Sequence, residues 1–241
     1  CRLPQRQYLQ VLFIHRHAQL GRAITGDFQQ YAARLHHIAG FDRTGQHGAG
    51  DPGAHLGLVQ HRLGGGDGGA AEELLKLPGM EQVVMAELDG EVVAMAREWL
   101  GSIHKGAFDD PRFTRQVGDA RKFIAATQER FDQIVLDLTD PFGPALDLYT
   151  VEFYQACRRA LNPGGVLSLH LGSPIHLPGS MARIAASLRA AFPIVRPYLQ
   201  YVPLYGTLWC MAMASDSTDP ALLGAAEVDA RIAARGLQDL Q

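Results

Sequence analysis

The stretch LGLVQHRLGGGDGG, residues 56–69, decides how this chain is read. A short, mostly apolar run leads into five glycines among six positions, interrupted only by Asp67. The next segment, AAEELLKL (70–77), carries a helical pattern. Strand, glycine turn and helix in that order open a nucleotide-binding α/β unit. Gly64, Gly66 and Gly68 form G-x-G-x-G, and glycine allows tight turning and close backbone approach to a ligand. The N-terminus of the following helix adds N–H groups that have no partner within the helix. Asp67 narrows the choice of ligand. A carboxylate at the centre of the loop repels phosphate and attracts a positive centre. The loop therefore points to a cationic nucleoside, such as an S-adenosyl sulfonium compound, rather than a dinucleotide.

Downstream of the loop, strands and helices alternate. Strands are predicted at Gln82–Glu87, Phe113–Val117, Phe131–Asp137 and Val166–Leu171. Helices are predicted at Ala70–Leu77, Gly90–Leu100, Ala120–Gln128, Thr150–Ala160 and Gly179–Ala191. Asn162-Pro163-Gly164-Gly165 reads as a turn. Val195–Pro203 and Thr207–Ala214 read as a closing antiparallel pair, and Asp219–Gly236 as a polar-faced helix. This alternation predicts an α/β, Rossmann-like fold with a mostly parallel sheet and helices on both faces. Upstream, Tyr8–Ile14 and Arg22–Gln30 suggest a small β-hairpin unit, and Ala39–Gly57 is glycine-rich and aperiodic. The expected division is residues 1–55 as a small N-terminal β region with linker and 56–241 as the catalytic domain. One feature jars: Gln60, His61 and Arg62 stand where a central parallel strand should be apolar.

Composition sets the class. A chain of 241 residues with 47% hydrophobic and 20% charged residues is ordinary for a globular protein. A formal net charge of −3 gives no footprint for a nucleic-acid backbone. No apolar run is long enough to span a membrane, and no signal-peptide pattern opens the chain, so a cytoplasmic protein is expected. Cys1, Cys157 and Cys210 are too scattered for a disulfide framework, and His36, His37, His47 and His55 lack metal-site spacing; no metal is expected. The chain opens on Cys1 and departs from pattern before Gly64, which reads as a fragment or as a frame shift upstream of that residue.

Ligands of such folds bind beyond the carboxyl ends of the strands. There the acids collect: Asp67 after the first strand, Glu87 after the second, Asp119 after the third, and Asp137 with Asp140 after the fourth. Converging like charges repel, so a cationic or hydroxyl-rich ligand is expected to use them. Glu87 lies 19 residues beyond Gly68, near the spacing of an acid that binds ribose hydroxyls. Asp119 could accept a hydrogen bond from an adenine amino group. The plainer role for each acid is a solvated carboxylate or helix cap, and for Asp89 and Asp110 that role is the expected one. Tyr149 is either a lid residue or a core aromatic. Tyr205, beside Gly206, lines the pocket or packs a turn, and Trp209 is expected in the core.

An ordered set of motifs then carries a resemblance: GGGDGG (64–69), AELD (86–89), GDA (118–120), LDLTDPFGPA (136–145), LYTVEFY (148–154), LNPGGVL (161–167), GSP (172–174) and VPLYG (202–206). Together they resemble the polyamine aminopropyltransferases, typified by spermidine synthase, over roughly Gly64 to Ala214. The resemblance implies a methyltransferase-like catalytic domain behind a small β domain, and a homodimer or homotetramer. It implies aminopropyl transfer from decarboxylated S-adenosylmethionine, a co-substrate rather than a resident cofactor, to putrescine or a related small polyamine. It places Gly64, Gly66, Asp67, Gly68, Glu87, Asp119 and Ala120 around the donor, with Asp67 at its cationic end. Asp137 would orient and deprotonate the amine, Asp140 would be a second acid, and Tyr205 would line the acceptor channel. His170 stands where many members carry glutamine. Gly26-Asp27 with Gln29 or Gln30 resembles the family hairpin, and the family's acidic segment with a central tyrosine is replaced by QQYAARLHHIAGFD (29–42), where Tyr31 is the candidate for that tyrosine. Two other readings fit the same sheet: an S-adenosylmethionine-dependent methyltransferase, and a silent polyamine- or nucleoside-binding protein.

Overall fold

The computed structural model describes residues 62–63, 66–77, 79–138, 141 and 143–234. The expected N-terminal hairpin, the boundary at residue 55, and Gln30, Tyr31, Gly64 and Asp140 lie outside the described residues.

One sheet organises everything else. Its strands are β1 (Arg62–Leu63), β2 (Val83–Glu87), β3 (Phe113–Val117), β4 (Phe131–Leu136), β5 (Leu161–Gly172), β6 (Ile194–Val202) and β7 (Thr207–Ser215), in the order β3-β2-β1-β4-β5-β7-β6. Strands β1 to β5 pair in parallel, and β7 joins β5 and β6 antiparallel. This is the expected mostly parallel sheet with a closing antiparallel pair. Arg62, out of place in the sequence pattern, does sit between two parallel neighbours, opposite Met85 and Val135.

The helices are α1 (Gly69–Leu75), α2 (Gly90–Trp99), α3 (Gly101–His104), α4 (Ala120–Ala126), α5 (Val151–Ala160), α6 (Pro178–Ala191) and α7 (Ala225–Ala234), of which α1, α2, α4, α5 and α6 share the core with the sheet. Strand periodicity divides the core between its two faces. Val83 and Met85 of β2 pack with Ala70, Ala71 and Leu74 of α1 and Val93 of α2. Ala86 joins the larger cluster with Ile134 and Leu136 of β4, Phe153 and Tyr154 of α5, and Leu188 of α6. β2 and β4 are buried along their whole length, whereas β3 is an exposed edge.

Several sequence expectations need adjustment. Asn162-Pro163-Gly164-Gly165 is not a separate turn but part of β5. Phe131 pairs with Leu161 and Gln133 with Val166, so two steps along β4 match five along β5 and the extra residues bulge out. Gly164 takes φ 79°, which suits glycine, and a Cβ on Gly165 would stand 2.9 Å from the Asn162 and Phe131 carbonyl oxygens. β4 ends at Leu136, one residue early, which leaves Asp137 at the rim and half-buried. The short helix α3 and the 3-10 turn Ala107–Asp109 were not expected; Lys105 at φ 41° and Gly106 at φ 86° separate them. The closing helix starts at Ala225 rather than Asp219, after a separate turn, Pro220–Leu222.

Candidate functional site at the carboxyl rim of the sheet

The register aligns the rim. Leu63 pairs with Ala86 on one side and Leu136 on the other. One residue further, Glu87 and Asp137 therefore flank the chain leaving β1 at the same level. They are two strand spacings apart, about 10 Å. Beyond Glu87 lies the end of β3, where the Gly118 N–H donates to the Glu87 carbonyl at 2.8 Å. Along the rim the order is thus Asp119, Glu87, the glycine loop with Asp67, and Asp137.

The glycine loop fits closely against its neighbours. A Cβ on Gly66 would stand 2.9 Å from Glu87 Oε2 and 2.8 Å from Val92 Cγ1. At Gly68, with φ 77°, a Cβ would meet the Phe108 ring at 2.6 Å and His104 Cβ at 2.8 Å. Both glycines are required by space, and Gly68 by backbone conformation as well. Gly68 also sits immediately before α1, as its N-cap. His104 and Phe108, their rings 4.7 Å apart, wall that side of the loop. Nothing in the sequence marked them, because they come from the unexpected α3 and the turn after it.

Three rim carboxylates share one local arrangement. Asp67 Oδ1 accepts from the Gly69 N–H at 3.0 Å, Glu87 Oε1 from the Asp89 N–H at 3.0 Å, and Asp119 Oδ1 from the Arg121 N–H at 2.9 Å. Each bond spans two residues and locks its turn. Glu87 is completely buried. Its backbone continues into Asp89, which caps α2 through the Glu91 N–H. Asp119 caps α4, so its plainer role holds too, and buried Ala120 opens that helix. Asp89 and Asp110 behave as expected, Asp110 accepting from the Arg112 backbone and guanidinium.

Arg121 was missed by sequence reasoning. It donates to Asp119 Oδ2 at 2.8 Å and reaches Asp147 in the 3-10 segment Gly143–Leu148. The Arg121 hydrogen bond, acting against partial burial, holds the Asp119 carboxyl below the ordinary carboxylate range. A basic residue two places after a capping acid is the only signal that could have revealed it.

On the other side of Asp137, an aromatic group fills the space above β4, β5 and β7. Tyr149 is buried in the main core, which settles its role as a core aromatic. Its hydroxyl lies 3.2 Å from His170 Nε2, and the same nitrogen lies 2.7 Å from the Leu138 carbonyl oxygen. Trp209, only partly buried rather than core, stacks on His170 at 6.0 Å and meets Tyr205 at 4.6 Å. Tyr205 is half-exposed on the 3-10 turn Pro203–Tyr205. Among the described residues Cys157 and Cys210 form no disulfide; both are buried, and burial raises both thiols, Cys157 furthest, so neither is a ready nucleophile. Among the described residues no group of three or more His, Cys, Asp or Glu could hold a metal ion, and no helix is long and apolar enough to cross a membrane.

A sheet of this order, with acids at four adjacent strand ends and a close-fitting glycine loop, defines a methyltransferase-like nucleotide-binding fold. The comparisons place it further. The model for the spermine/spermidine synthase domain matches residues 54–223, and the chain belongs to that family. It is 60% identical over 198 residues to a polyamine aminopropyltransferase of Nitrosomonas europaea, covering 79% of this chain and 61% of the relative. It is 42% identical over 175 residues to polyamine aminopropyltransferase 2 of Hyperthermus butylicus, covering 72% of this chain and 57% of the relative. Among solved structures, a spermidine synthase in complex with the transition state analogue AdoDATO superposes with a TM-score of 0.70 at 30% identity, covering 81% of this chain and 62% of the other. The chain thus spans about three-fifths of the length of the relatives it matches.

Proposed function

We propose that this chain transfers an aminopropyl group from decarboxylated S-adenosylmethionine to putrescine, giving spermidine and methylthioadenosine. The observation that carries this reading is the order of acids along the rim. Asp119, Glu87, Asp67 and Asp137 stand in the order in which an extended nucleoside presents adenine, ribose, its cationic side chain and, beyond that, an attacking amine. Asp119 and the Ala120 N–H take the adenine, buried Glu87 the ribose hydroxyls, and Asp67 the ammonium of the aminopropyl arm. Gly64, Gly66 and Gly68 let the backbone approach the nucleoside.

Asp137 is the proton acceptor in this reading. A protonated amine has no lone pair to offer, so its proton first passes to the Asp137 carboxylate. The freed nitrogen attacks the methylene carbon next to the sulfonium. A carbon–nitrogen bond forms, the carbon–sulfur bond breaks, and its electron pair returns to sulfur, which leaves as a neutral thioether. Catalysis then rests on alignment and on fixed negative charge around two cations. Asp140 serves as a second acid for the amine, Tyr205 lines its channel, and Tyr31 stands in for the family's tyrosine. The donor is consumed at each turnover, and no resident cofactor is required. A homodimer or homotetramer in the cytoplasm, acting on small polyamines rather than nucleic acid or membranes, completes the reading.

Incubating the folded protein with decarboxylated S-adenosylmethionine and putrescine is expected to yield spermidine and methylthioadenosine in equal amounts. No product above background overturns the proposal. Tighter calorimetric binding of intact S-adenosylmethionine than of the decarboxylated donor favours methyl transfer instead, because Asp67 repels a donor carboxylate.

A further inference from the structure

The turn after β4 is held from across the sheet. His170 Nε2 lies 2.7 Å from the carbonyl oxygen of Leu138, the residue next to Asp137. A carbonyl can only accept, so Nε2 carries the hydrogen. Nδ1 is buried and has no hydrogen-bond partner among the described residues, which fits the tautomer with the hydrogen on Nε2. The ring has little freedom: it is 7% exposed, contacts the Tyr149 hydroxyl at 3.2 Å, and stacks on Trp209. It also belongs to β5, which pairs with β4 through Leu169 opposite Leu136. A rigid donor on one strand thus grips the second backbone carbonyl beyond the end of the next.

We propose that His170 is a positioning residue: its Nε2–H anchors the Leu138 carbonyl and thereby sets the direction of the Asp137 carboxylate toward the amine. This rests on reading Asp137 as the proton acceptor. The anchor fixes the carbonyl end of Leu138, the residue after Asp137, and so the direction in which the chain leaves the carboxylate. Its loss lets the carboxylate drift, and small misplacements of a reacting group slow chemistry far more than they weaken binding.

The test uses the full chain as parent, His170→Leu, His170→Gln, His170→Asn, D137N and the double variant D137N/H170L. Saturated kcat with decarboxylated S-adenosylmethionine and putrescine, calorimetric donor Kd and Tm are measured for each. H170L is expected to lower kcat roughly 10- to 100-fold with donor Kd within about twofold. H170Q, whose amide nitrogen reaches about as far as Nε2, is expected to recover kcat to within about threefold. H170N falls short of Leu138, keeps a polar side chain, and should behave like H170L even if H170L folds poorly. In the D137N background H170L should cost less than about twofold, because both act through one group. Nitrogen-15 NMR of labelled histidine, which needs no turnover, should show a slowly exchanging Nε2–H and an unprotonated Nδ1.

Failure of H170Q to rescue, a donor Kd that rises in step with the loss of kcat, an undiminished H170L effect on D137N, or an unprotonated Nε2 each overturns the anchor. D137N retaining a third or more of parental kcat overturns the proton-acceptor reading by itself, and the route through Asp137 with it. A large D137N loss without rescue by H170Q overturns the anchor alone.

Discussion

The two halves of the rim hold their acids by different means. On the side of β1, β2 and β3, Asp67, Glu87 and Asp119 each fold back onto a backbone N–H two residues ahead. On the side of β4, the carbonyl of Leu138, the residue after Asp137, is gripped by His170, more than thirty residues further along the chain. Local bonds need only the strand-end turn itself. The long-range grip needs β4, β5 and β7 to be in register first. Under the proposed function, the local arrangement suits groups that bind a rigid nucleoside, and the long-range one suits a group that must be aimed at a reacting atom.

The sharpest way to break this contrast is to remove the aimed group. D137N is expected to lower kcat by about two to four orders of magnitude, the cost of losing a positioned proton acceptor, with donor Kd nearly unchanged. Steady-state kinetics beside calorimetry checks both halves of that statement. On the locally braced side the largest effect should come from the loop. Gly68→Val meets Phe108 and His104 and strains a positive φ, so a loss of about 2–4 kcal/mol is expected from denaturant unfolding, with donor binding abolished.

Glu87→Gln should weaken donor binding by about 10- to 100-fold, the worth of hydrogen bonds to a charged acceptor. The same change should leave kcat at saturation within a few-fold, which calorimetry and saturation kinetics together would reveal. Asp119→Asn should do less to donor affinity, since its carboxylate is shared with Arg121.

The smallest effect concerns acid. Arg121 depresses the Asp119 carboxyl in the folded state. A depressed carboxylate contributes stability above its unfolded pKa and loses it as pH falls through the folded value. The stability difference between parent and D119N should therefore be flat above the ordinary value of 3.8 and shrink below it. With Arg121 half-exposed, that difference should stay under about 1 kcal/mol. Unfolding titrations of both proteins between neutral and strongly acid pH provide the measurement.

Much of this site is legible in the sequence, because its parts are local. A glycine loop before a helix, an acid at each strand end and an N-cap two residues before the N–H it accepts all show in short windows. So GGGDGG, Glu87, Asp119 and Asp137 could be picked out, and the placement of β2, β3 and β4 read within a residue or two. What escaped depends on contacts made at a distance. Arg121 bridging to Asp147, the wall of His104 and Phe108 under Gly68, and the grip of His170 on Leu138 join segments that no window holds together. The Pro163-Gly164-Gly165 bulge was misread for a related reason: Pro and Gly signal a turn, but the pairing of β5 with β4 on either side kept the strand going.

The sequence by itself determined the kinds of element and the residues that end them. Alternating apolar runs bury one way only, and glycine and aspartate fix turns through their own backbones. The tertiary structure alone decided their neighbours. In the chain the acids run Asp67, Glu87, Asp119, Asp137; on the rim they stand Asp119, Glu87, Asp67, Asp137. That reordering follows from crossovers that carry the chain outward from β1 to β3 and then back to β4, so each helix can cover the sheet. The line of strand ends on which the proposed function places a nucleoside, from base to reacting carbon, exists only after that crossover is made.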